Sequence, residues 1–180
     1  MAAHITEGHW NPFPGALPEF IEPDSLYVIP TRGPAQGSVI PRYAEAVRYL
    51  PKEARAANLP VRFSRDTESR EFLSEYSVQP DMWSLGLACM QMANDWIILT
   101  VSLFIAHRGK TQGWSKNQAK RLPLKVYVAE TATGKNYEIE GTGEDVLEAI
   151  KVLQKSNAGT EALAAEAEEG SDHQGDDDGP

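Results

Sequence analysis

The sequence predicts an α+β domain: a small three- to four-stranded sheet with a C-terminal β-hairpin, packed against a long central apolar helix and two other helices. Three observations carry that expectation. Residues 82–106, MWSLGLACMQMANDWIILTVSLFIA, hold a single charged side chain, Asp95, and must be buried against something. Residues 124–140 alternate apolar and polar around Thr133-Gly134-Lys135, the pattern of a hairpin. Residues 144–154 then place Val146, Leu147, Ile150 and Leu153 at helical spacing.

Taken in order, residues 1–37 read as a proline-rich extended arm. Prolines at 12, 14, 18, 23, 30 and 34 remove backbone donors and bias their predecessors away from helix. Trp10, Phe13, Leu17 and Phe20 point to an arm lying against the body. Leu26 to Ile29 make one short strand, placed at a sheet edge because Pro30 ends it. The α+β domain spans residues 25–156. Pro41 suits the first turn of a helix over 41–57, with Tyr43, Val47 and Leu50 at helical spacing and Pro51 kinking or splitting it. Pro60 to Ser64 alternates as a strand, and Asp66 or Thr67 caps a short helix to about Tyr76. Asp81 is placed to cap the 82–106 segment, whose length favours helix over strand. Gly109 and Gly113 end that helix. Glu144 and Asp145 suit the first turn of the last helix, and Lys151 and Lys155 its last.

Residues 157–180 read as an acidic disordered tail. The net charge of −9 is concentrated there: residues 159–180 carry eight acids and no Lys or Arg. Setting those eight aside leaves 18 acids against 17 bases, so the body is close to neutral and advertises no nucleic-acid face. The single cysteine, Cys89, fits a reducing compartment and an inert buried thiol. The N-terminal stretch has no basic and apolar run of a secretory signal. The expected location is cytoplasmic, with the inner face of a membrane as the alternative.

No motif carries chemistry. Gly109-Lys110-Thr111 lacks the glycine five positions earlier that a phosphate-binding loop needs, Phe104 standing there, and Thr133-Gly134-Lys135 fails in the same way. His4, Glu7 and His9 lie in the arm without a second ligand cluster. Nothing resembles a nucleophile elbow or a spaced triad. The expectation is therefore no catalytic, cofactor-binding or metal-binding residues, and no enzyme.

The candidate sites are surfaces. On a helix spanning 82–106, Ser84, Gln91, Asp95 and Ser102 fall near one line with Ala88, and Asn94 lies beside them. That small, polar stripe is the expected interaction surface. A basic patch follows: Arg108, Lys110, Lys116, Lys120, Arg121 and Lys125. In lipid, nine strongly apolar residues would favour insertion by roughly 0.3 to 0.6 kcal/mol each, while Asp95 alone opposes it by about 2.5 to 3.5. The near-cancellation favours a buried helix docking another protein or a second copy. The alternative is the same helix in a bilayer, with the basic patch on anionic headgroups.

Residues 61–154, and above all KVYVAETATGKNYEIEGTGEDVLEAI, resemble small accessory proteins of bacterial effector and conflict systems, especially multi-gene NTP-dependent ones. The resemblance implies a non-catalytic helper and carries over no functional residues.

Overall fold

The computed structural model describes residues 2–74, 82–92 and 95–169. Its elements run β1 (His4–Glu7), β2 (Leu26–Val28), β3 (Tyr43–Ala44), α1 (Leu50–Ala56), β4 (Val61–Phe63), β5 (Phe72–Leu73), β6 (Trp83–Cys89), α2 (Trp96–Gln112), α3 (Lys116–Lys120), β7 (Pro123–Glu130), β8 (Lys135–Thr142) and α4 (Gly143–Glu169). Among the described residues, six strands form one mixed sheet in the order β1-β8-β7-β6-β2-β4, and β3 pairs with β5 in a separate two-stranded sheet.

Two parallel pairs organise the sheet. β6 and β7 are joined through α2 and α3, and β2 and β4 through β3 and α1. The pairs meet antiparallel at β2 and β6. Two crossover units that run in opposite directions, each with the preferred right hand, put their helices on the same face of the sheet. There α1 packs on α2, and α2 on α4. The hairpin read from the alternation forms in full as β7 and β8, turning at Gly134 with φ of 70°.

The class is α+β, but the expected small sheet under one long apolar helix does not form. Residues 82–106 split in two. Trp83–Cys89 is the strand β6, buried along its whole length between β7 and β2, and the helix starts only at Trp96. A strand covered on both faces loses its polar alternation, so its sequence is as continuously apolar as a buried helix. Gly86 marks the strand: a Cβ there would stand 2.6 Å from Thr31 Cγ2 and 2.9 Å from the Ile29 carbonyl oxygen.

Other elements shift for local reasons. The helix expected over 41–57 is replaced at its start by β3 and a 3₁₀ turn at Glu45–Val47. Pro51 then sits in the first turn of the shorter α1, where its missing donor costs nothing. The short helix expected from residue 67 is one 3₁₀ turn, Thr67–Ser69, after which β5 pairs with β3; its last residues lie outside the described ones. β2 is interior, not an edge. Pro30 is harmless because the ladder ends one residue earlier, at Ile29 N–H donating to the Gly86 carbonyl. His4–Glu7, expected to be plain arm, adds to the sheet as β1.

The core fills the helix side of the sheet. Leu85, Leu87, Val126, Val128 and Ile139 point there, meeting Ile97, Val101, Phe104 and Ile105 of α2 and Val146 and Ile150 of α4. α2 buries Ile97, Val101, Phe104 and Ile105 against the sheet, and its flanks carry the partly buried Ile98 and Leu103. It runs on through Gly109, expected to help end it but buried inside the helix, and stops at Gly113, a left-handed cap with φ of 69°. The opposite face of the sheet is covered by the arm. Trp10 lies with its ring centroid 4.9 Å from that of Tyr127, and Ile21 joins Trp10 over a small cluster of Tyr27, Ile29, Ala88 and Ala129. α4 continues beyond the expected 144–154 to Glu169, through an Ala-Glu stretch of strong helix formers. Residues 170–180 of the acidic tail lie outside the described ones.

Candidate interaction surface at the β1 edge

The expected interaction stripe depended on a single helix and is dispersed. Ser84 is on β6, 6% exposed, and its Oγ has no hydrogen-bond partner among the described residues. Gln91 is in the exposed connection after β6, and Asp95 precedes the first turn of α2 without capping it through its side chain. Asn94 lies outside the described residues. Ser102 alone borders a surface groove, about 330 Å³, between the end of α1 and α2 with Ala57, Leu59, Leu99, Leu103 and Ala106.

The six cations do not form one surface either. Arg108 lies over the Trp83 ring at 5.2 Å from its centroid, and burial lowers the pKa of its guanidinium. Lys110 is exposed on α2. Lys116 and Lys120 belong to α3, Arg121 caps it, and Lys120 Nζ is 3.9 Å from Glu144. Lys125 projects from the arm side of β7, 2.9 Å from both Glu138 and Glu140 across β8, and its pKa is raised by those two carboxylates. The sheet stands between it and the α2–α3 cations. Among the described residues, no helix is long and apolar enough to cross a membrane, and no group of three or more His, Cys, Asp or Glu is placed to hold a metal ion.

A charged cleft of about 380 Å³ lies where the arm crosses the end of β4. Its two arginines are engaged by the chain itself: Arg62 pairs with Glu22 at 2.9 Å, and Arg65 donates to the carbonyls of Gly15 and Ser69. Those bonds tie the arm to the sheet. Cys89 is 1% exposed, and burial, aided by the charge of Glu130, pushes its thiol up to about 12. A group protonated in the fold beyond its unfolded pKa of about 8.5 contributes stability that is complete below that pH and lost as pH rises toward 12. Relative to Cys89→Ala, the wild-type chain should therefore lose about 1.4 kcal/mol between neutral pH and pH 9.5 in urea unfolding. A parallel pH profile for the two proteins would contradict this burial.

The surface with unmet directional chemistry is the outer edge of β1. Gly8 N–H donates to the Asn136 carbonyl at 2.9 Å, and β1 continues that register with His4 opposite Glu140 and Thr6 opposite Glu138. Antiparallel ladders alternate bonded and non-bonded pairs, so the main-chain groups of His4 and Thr6 face β8 while those of Ile5 and Glu7 face away. Among the described residues no strand pairs with that outer edge. Beside it, on the helix side, Ala2, Ala3, Ile5, Ala149 and Val152 line a shallow groove of about 470 Å³, closed by Asp145 and Glu148. Ile5 is 36% exposed and Val152 61%. Sequence reading missed β1 because HITE is too short and too polar to show a strand period. The signal that places it lies in β8, whose far side offers a second ladder.

The chain matches no protein-family model, no curated protein and no solved structure.

Proposed function

We propose that this chain is a non-catalytic protein-interaction module that receives an extended partner strand along the outer edge of β1. One observation carries the reading: the outward main-chain groups of Ile5 and Glu7 run beside a groove whose exposed apolar side chains are Ile5 and Val152, with the buried Ala149 at its floor. Free strand edges are ordinarily blunted by short length, charged side chains, proline or a bulge; β1 is short and ends in Glu7, but it holds no lysine, proline or bulge. Strand addition draws affinity from main-chain hydrogen bonds and specificity from alternate side chains seated beside the edge. The resemblance of residues 61–154 to small accessory proteins of bacterial effector systems points the same way.

Selection of peptides from a random displayed library on the full chain tests the proposal. Selected peptides should bind wild type and Leu99→Asp alike, and lose binding to Glu7→Pro. That proline removes an outward donor and leaves the bonds of His4 and Thr6 to β8. Peptides that tolerate Glu7→Pro and are lost with Leu99→Asp would transfer the function to the α1–α2 groove and overturn the β1 reading.

A further inference from the structure

Building on that reading, we infer that the strand received at the β1 edge is β1 of a second copy, antiparallel, with Ile5 opposite Ile5. An antiparallel ladder joins outward-facing residues only to outward-facing residues. A twofold axis through this edge therefore has two central registers, Ile5 opposite Ile5 or Thr6 opposite Thr6. With Thr6 at the axis, each Ile5 would face the Glu7 carboxylate of the other copy instead of a second apolar side chain. With Ile5 at the axis, each Ile5 exchanges both main-chain bonds with its counterpart, and Glu7 faces Ala3.

That register is also the one in which the side chains match themselves. On the helix side the exposed Ile5 and Val152 of each copy close over one shared groove, and on the arm side His4 lies beside Thr6 of the second copy. The same axis turns the two α4 helices antiparallel. A surface that complements itself in hydrogen bonds and apolar side chains is what an isologous interface requires. The product is one continuous twelve-stranded sheet with neither β1 left at an edge.

Sedimentation velocity of the full chain over a concentration series tests the assembly, and mild oxidation of single-cysteine variants tests its register. Wild type and Leu99→Asp should sediment at twice the chain mass. Glu7→Pro and Ile5→Lys should weaken self-association at least tenfold while leaving the circular-dichroism spectrum unchanged. Ile5→Cys should cross-link between copies, and Thr6→Cys should not; the reverse pattern would overturn the register. A monomer at every concentration would overturn the second copy as occupant. The strand-addition reading would then survive only if library peptides still depended on Glu7, so the two failures are distinguishable.

Discussion

Phe104→Ala should lower the unfolding free energy by about 3 to 5 kcal/mol in urea titration, a large part of what a domain of this size possesses. Phe104 is 1% exposed and sits on the inner line of α2, between the sheet and the flanking helices. Its ring is one of the largest wholly buried side chains, so its removal leaves a cavity in the core between α2 and the sheet. Leu99→Ala, 48% exposed on the outer side of the same helix, should cost less than about 1 kcal/mol. Similar losses from the two would mean that α2 is rotated from the orientation described.

Ile150→Ala should cost about 2 to 5 kcal/mol, and Lys151→Ala should stay within about 0.5 kcal/mol. Ile150 is fully buried where α4 crosses β7 and β8. Lys151 is exposed, and its 3.0 Å contact with Glu148 is a surface i,i+3 pair of the kind that contributes a few tenths of a kcal/mol. The contrast between neighbouring positions fixes the rotation of α4 about its axis. It also fixes which residues, Val152 among them, are left beside the β1 edge. Equal effects would remove the apolar side of the proposed interface.

What the sequence by itself determined is whatever local pattern can specify. Alternation about Gly134 gave the β7–β8 hairpin, Gly113 gave the end of α2, and the spacing of Val146 and Ile150 gave the buried face of α4. Tertiary structure alone decided the rest. Trp83–Cys89 is a strand because β7 and β2 stand ready to bond it on both sides, and a segment buried all round carries no period to announce that. Tyr43–Ala44 and Phe72–Leu73 are strands only by virtue of each other. His4–Glu7 joins the sheet because β8 offers an unpaired ladder that no reading of four residues could supply, and with β1 came the candidate site. A stripe drawn on one continuous helix had no place once that helix became a strand and a shorter helix. Side-chain period is a local property, whereas pairing belongs to two segments at once, and the interaction edge is made of pairing.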